Sequence, residues 1–153
     1  MKILLLLVSL ALAQGGELSA RLDAYMAAWN AHDSHAAAAF LDEQVEYFDA
    51  AASLTARGRD EAKAKIIAAF MTAAPDLRWT RDPGSEIVGE NAIAFTWTFT
   101  GTNTGAWSDG TAATGKRFSI KGATLIRVRN GKIVSQGDYY DAHALYKQLG
   151  LVQ

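Results

Sequence analysis

An α+β fold, with a strongly curved antiparallel sheet wrapped around helices, is what this sequence predicts. Three observations carry the prediction. Apolar residues in the first half recur at spacings of three and four, which places them on helix faces. In the second half large and small side chains alternate, as in Ile93-Ala-Phe95-Thr-Trp97-Thr-Phe99, the period of a strand. The dipeptide Asn130-Gly131 stands between two such runs and marks a tight hairpin. Helices before a meander of strands give α+β rather than an alternating α/β order.

The elements follow in order. Lys2 and the apolar run Ile3 to Leu10 precede Ala11-Leu12-Ala13, a small-x-small cleavage pattern, so residues 1–13 read as a signal peptide. The run is too short for a membrane-spanning helix, and a buried first helix is its alternative reading. The mature domain, 14–153, would then be secreted or periplasmic, with no membrane span. Leu18, Leu22, Tyr25, Met26 and Trp29 predict a helix from about Leu18 to Ala31. Asp33 caps a second, Ala-rich helix reaching Phe40 and Leu41, and Val45–Asp49 is a strand. Asp60 is placed to cap a third helix that carries Ile66, Ile67, Phe70 and Met71 and stops before Pro75. Strands are expected at Leu77–Arg81, Glu86–Val88, Ala92–Asn103, Arg117–Arg129 and Lys132–Asp141, and a last helix at Ala142–Leu149 before Gly150.

A two-residue turn at Asn130-Gly131 sets a register in which Val128 pairs with Ile133, Ile126 with Ser135, Thr124 with Gly137, Gly122 with Tyr139 and Ile120 with Asp141. Lys121, Arg127, Arg129, Gln136 and Asp138 then share a solvated outer face. Asp141 falls on the apolar face unless a bulge intervenes.

Composition narrows the function classes. The formal charge of -1 becomes -2 once Lys2 is removed, which gives no electrostatic reason to seek nucleic acid. The chain has no cysteine, so thiol chemistry and cysteine-ligated metals are excluded. His32, His35 and His143 form no ligand motif, and neither a metal nor another cofactor is expected. Gly110-Thr-Ala-Ala-Thr-Gly115-Lys116 starts like a phosphate-binding loop. However, Arg117 stands where Ser or Thr is needed, and the segment joins strands instead of opening a helix.

Acids beside aromatic residues remain. Asp49 ends the first strand after Tyr47 and Phe48, Tyr25 lies on the apolar face of the first helix, and Asp141 ends the last strand. A carboxylate in an apolar cavity loses solvation and becomes a competent base near neutral pH. A buried tyrosine hydroxyl needs a partner, which a ligand carbonyl can supply. Each residue also has a structural reading: Asp141 as a helix cap, Asp49 as a turn former, Tyr25 as core.

The order YMAAWNAHD, VEYFD with GRDEAK, PDLR, AFTWTFTGTNTG, ATGKRFSIKG and NGKIVSQGDYYDAHALYKQLG resembles the NTF2-like superfamily. This is the cone-shaped α+β fold of SnoaL-like polyketide cyclases and ketosteroid isomerases, and the likeness runs from about Leu18 to Leu151. It implies a curved sheet around about three N-terminal helices with a short C-terminal helix, enclosing a conical pocket. By resemblance to the isomerases, Tyr25 would polarise a substrate carbonyl and Asp49 would be the base. Thr124 stands at the second oxyanion position. By resemblance to the cyclases, Asp141 would be the acid/base, and their accompanying histidine has no counterpart here. Trp29, Phe48, Trp79, Phe95, Trp97, Phe99, Thr124 and Tyr139 would line the pocket. The expectation is cofactor-free proton transfer on a small hydrophobic carbonyl compound. The alternatives are capture of a small hydrophobic ligand without chemistry, or an interaction module; folds of this kind often pair as homodimers through the outer sheet face.

Overall fold

The computed structural model describes the backbone of residues 2–153 and the side-chain surroundings of residues 15–153. The expected signal segment, 1–13, lies outside the described side chains. Among the described residues no helix is long and apolar enough to cross a membrane.

Helix α1 (Lys2–Asn30) buries Leu22, Tyr25, Met26 and Trp29 on one stripe. Asp33 caps α2 (Ser34–Ala38) by accepting from the His35 and Ala36 amides, which satisfies two of the free N–H groups of its first turn. The third helical stretch differs from expectation. Gly58, not Asp60, is the N-cap of α3 (Arg59–Ala62), and Asp60 lies in the first turn beside the positive end of the helix dipole. A π-helical turn at Lys63–Ile67 then leads into α4 (Ala68–Ala73). The extra residue in that turn rotates the helix so that Ile66 and Ile67 both face the core.

Seven strands form one sheet: β1 (Leu41–Asp49), β2 (Leu54–Arg57), β3 (Arg78–Arg81), β4 (Ile87–Val88), β5 (Ala92–Thr102), β6 (Arg117–Arg129) and β7 (Lys132–Tyr140). Their order is β2-β1-β7-β6-β5-β3, with β4 also on β5. All pairings are antiparallel except β1 with β7, which is parallel. β2 goes unforeseen because Leu54-Thr-Ala-Arg57 is short and shows little alternation. The inner face of β5 carries Ile93, Phe95, Trp97 and Phe99, all buried against the helices. Helix α5 (Ala142–Leu149) closes the chain, capped by Asp141 and ended by Gly150 in the left-handed region.

The β6–β7 hairpin corrects the expected register. Val128 pairs with Ile133 as expected, but Arg127 then pairs with Ser135, leaving Val134 unpaired as a bulge. Beyond it Ile126 faces Gln136, Thr124 faces Asp138 and Gly122 faces Tyr140. One inserted residue inverts every side chain that follows. Gln136 and Asp138 therefore turn inward, away from the solvated face expected for them, while Lys121, Arg127 and Arg129 stay exposed.

Candidate active site

The sheet and helices line a small, partly open cavity of about 30 Å³. Its wall is mostly aromatic. Trp29 comes from α1, Phe70 from α4, and Trp79, Trp97 and Phe99 from the sheet. Trp79 meets Trp29 edge-on at 5.6 Å between ring centres and Trp97 at 6.4 Å, so the rings brace one another. The only charged groups on this wall are Asp49 and Asp138.

Asp49 and Asp138 are register partners on the parallel strands β1 and β7, which puts both carboxyls on the inner face. Asp138 Oδ2 accepts from the Tyr47 hydroxyl at 2.6 Å, and Oδ1 accepts from the Thr124 hydroxyl at 2.6 Å. The Gln136 amide reaches both oxygens at 3.2 and 3.3 Å. The Trp97 indole N–H donates to Thr124 Oγ1 at 2.8 Å, which leaves the threonine proton for Asp138. Tyr25 donates to Gln136 Oε1 at 3.0 Å, and Gln136 Nε2 donates to the Tyr47 oxygen at 2.7 Å. Two chains of donors, Tyr25–Gln136–Tyr47 and Trp97–Thr124, thus end on one carboxyl.

Burial disfavours the charge on Asp138 and the three donors favour it. Burial wins, and the pKa is raised to about 6. The carboxyl lies deep in the molecule, and the surface it retains borders the cavity. Asp49 is only 2% exposed. Its Oδ1 accepts from the Ala52 amide and its Oδ2 from the Tyr140 hydroxyl, each at 3.0 Å. Its pKa is also raised, chiefly by burial, against the opposing pull of these bonds. Burial likewise pushes the Tyr25, Tyr47 and Tyr140 hydroxyls up, so all three stay neutral donors.

The residues singled out from sequence fall into three places. Asp49, Trp29, Trp79, Trp97 and Phe99 border the cavity. Tyr25, Thr124 and Phe95 sit one layer behind: Tyr25 and Thr124 in the hydrogen-bond chains, and Phe95 packed on Trp79 at 5.8 Å. Phe48, Tyr139 and Asp141 lie elsewhere. Phe48 and Tyr139 pack on each other at 6.0 Å between ring centres, and the alternation of β1 and β7 turns them to the outer face. Asp141 is exposed and accepts from the Ala144 amide at 3.0 Å as the cap of α5. Asp138, Tyr140, Tyr47, Gln136 and Phe70 are not among the site residues expected from the sequence, which puts Gln136 and Asp138 on the solvated face instead. The strand alternation would have linked Gln136, Asp138 and Tyr140, but the bulge decides which face they take. Among the described residues no group of three or more metal-ligating side chains comes together.

A second, wider recess lies at the mouth of the cavity and shares Asp49, Phe70 and Tyr140 with it. Trp107, from the loop after β5, packs edge-on against Phe70 at 5.5 Å and forms part of its rim.

The chain resembles solved structures over most of its length. AclR from Streptomyces galilaeus is 24% identical, with TM-score 0.75 over 90% of this chain and 83% of that one. TsrD from Streptomyces laurentii is 23% identical, with TM-score 0.76 over 90% and 97%. A Catenulispora acidiphila DSM 44928 protein with a ketosteroid isomerase-like fold, solved in complex with trimethylamine, is 22% identical, with TM-score 0.71 over 85% and 92%. At these identities the likeness shows the fold. No curated protein matches the chain. The model of the SnoaL-like polyketide cyclase family matches residues 19–149, from the first turns of the buried α1 stripe to the end of α5, and the chain belongs to that family.

Proposed function

We propose that the protein catalyses cofactor-free proton transfer on a small, largely apolar carbonyl compound, as an isomerase or cyclase. The observation that carries this reading is Asp138: a carboxyl on an aromatic cavity wall, held by three oriented donors, with no cationic partner on that wall. Such a group is a base poised near neutral pH.

In the proposed step an oxygen of Asp138 takes a proton from the carbon next to the carbonyl. The C–H pair moves into a carbon–carbon double bond, and the carbonyl π pair moves onto oxygen. Tyr25 and Thr124 support Asp138, so the oxyanion falls to Asp49 and Tyr140; the Tyr140 hydroxyl donates to Asp49 Oδ2 in this structure and would turn to the enolate oxygen. Burial raises the pKa of Asp49, and in its protonated form it would donate to the same oxygen as the Tyr140 hydroxyl. The enolate then recovers the proton at another carbon or attacks a second carbonyl. Fixed donors in a dry site contribute roughly 3 kcal/mol each to such a step.

The test is α-proton exchange of acetone and butanone in D2O, followed by NMR. The native protein is expected to accelerate exchange. Asp138→Asn is expected to lower it by about 10²–10⁴-fold, the usual worth of a general base. Asp49→Asn keeps a donor and is expected to cost less. Exchange that survives in Asp138→Asn would sink the assignment of the base.

Two finer proposals accompany this reading. The mature chain is exported after cleavage behind Ala13, which the N-terminal mass of the exported protein would test. It also pairs with a second copy through the outer sheet face, where Leu125 and Tyr139 are 52% and 45% exposed. Light scattering on native protein and on Leu125→Glu would test that.

A further inference from the structure

The composition of the cavity wall suits a charged ligand as well as a neutral one. Seven of its eleven residues are aromatic, two are carboxylic acids and two are isoleucines. None is Lys, Arg or His. Within the sheet, the rings of the wall pack on one another. Trp97 lies 6.0 Å from Tyr140 and 6.3 Å from Phe99 between ring centres, and the Tyr47 hydroxyl is on the carboxylate itself. Aromatic faces carry partial negative charge, and a box of them around a carboxylate is the arrangement that recognises a desolvated organic cation.

The hydrogen-bond chains fit the same reading. Trp97 orients Thr124, and Gln136 orients Tyr47, so the donors that reach Asp138 are themselves held by neutral groups. They hold the carboxylate in place without neutralising it. No cationic side chain donates to it or lines the cavity.

We propose that the aromatic box binds a small alkylammonium ion, with its methyl or methylene groups on the Trp and Phe faces and its charge against Asp138. The size of the cavity limits the ligand. About 30 Å³ of room for the centre of a water is space for roughly two or three water-sized spheres. The ammonium and the groups nearest it occupy the inner box, and the rest of the ligand lies past Phe70 in the outer recess. The assignment concerns what the cavity holds and stands independently of the proton transfer. It also implies that such a cation occludes the base.

The probe is trimethylammonium chloride, with tert-butanol as the neutral molecule of matching shape, at ionic strength fixed with sodium chloride. Binding is read from tryptophan fluorescence and from the indole N–H resonances. Saturable binding of the cation is expected at pH 7.5, with affinity at least tenfold above that of tert-butanol. At pH 5, where a group of pKa about 6 is about nine-tenths protonated, the cation's affinity is expected to fall about tenfold. Asp138→Asn is expected to abolish the preference for the cation, while Tyr139→Ala on the outer face keeps it. Equal binding of cation and tert-butanol, or no saturable binding of the cation at pH 7.5, would overturn the proposal. If Asp138→Asn does not fold, the isostere and pH comparisons on native protein decide alone. Ketone exchange without cation binding would refute this inference and leave the catalytic reading intact.

Discussion

Thr124 and Asp138 face each other across β6 and β7, their side-chain oxygens 2.6 Å apart, because one residue, Val134, drops out of the pairing. Without that bulge Thr124 would face Gly137 and the carboxyl would point to solvent. The geometry of the candidate site thus depends on a backbone irregularity several residues away from it. The parallel strand β1 then adds Tyr47 and Asp49 to the same inner face.

The first prediction concerns stability and pH. The folded pKa of Asp138, about 6, lies above its ordinary value of 3.8, so the folded state holds the proton more tightly than the unfolded chain. Stability from this group is therefore present at low pH and is lost as pH rises through about 6. Between pH 5 and 7.5 the loss is about 1.4 kcal/mol, roughly 3–6 °C in Tm for a domain of this size. Calorimetry across that window is expected to show the fall in native protein and a smaller one in Asp138→Asn, where only Asp49 retains the same sign. An unchanged slope in the variant would mean that Asp138 titrates normally.

A second prediction isolates the tyrosine donor. Tyr47→Phe keeps the ring and removes the hydroxyl 2.6 Å from Asp138 Oδ2. The ionised carboxylate loses one of its strongest supports, so its pKa rises. NMR titration of the Asp138 carboxyl carbon is expected to move to higher pH, and the acid limb of ketone exchange should move with it. A shift to lower pH would show that Tyr47 opposes the charge rather than supporting it.

Much of the fold is legible in the sequence, and the reason is periodicity. The strand Arg117–Arg129 and the helix Ala142–Leu149 match their expected bounds because alternation, a two-residue turn and a capping Asp are local signals. The site is less legible. Asp49, Trp97 and Trp29 can be reached from their own elements, since each lies on a face that local spacing defines. Asp138, Gln136 and Tyr140 depend on a bulge, and no residue near Val134 announces one: Ile133-Val-Ser-Gln136 reads as ordinary strand. The parallel β1–β7 pairing that brings Asp49 beside Asp138 is equally non-local. The π-helical turn before Phe70 has no distinctive composition either, since Lys-Ala-Lys-Ile-Ile is ordinary helix sequence.

Asp141 supplies a third prediction through its cap. Its carboxylate holds the Ala144 amide at the start of α5, and it faces solvent. Asp141→Ala is expected to cost about 1 kcal/mol, read as a fall in denaturation midpoint. The Asp138 titration and ketone exchange should be unchanged. A loss of exchange out of proportion to the loss of folded protein would return Asp141 to the catalytic machinery.

The last prediction tests the wall of the cavity through Gly122. This residue is the register partner of Trp97, and the indole lies directly over it. A Cβ at this position would sit 2.4 Å from two carbons of the indole and 2.6 Å from the Tyr139 carbonyl oxygen. Both distances are too short for contact, and the Tyr139 oxygen is backbone that cannot simply swing away. Gly122→Ala must therefore displace the Trp97 ring, at a cost of roughly 1–3 kcal/mol for overpacking. The displaced indole no longer donates to Thr124 Oγ1, and Thr124 is then free to turn its own proton away from Asp138. The expected signature is threefold: a lower Tm, a shifted Trp97 N–H resonance, and an Asp138 carboxyl that titrates at higher pH. A variant that loses stability while the Asp138 titration stays in place would show that the Trp97–Thr124 arm carries packing but no electrostatic support, leaving Tyr47 and Gln136 as the supports of the carboxylate.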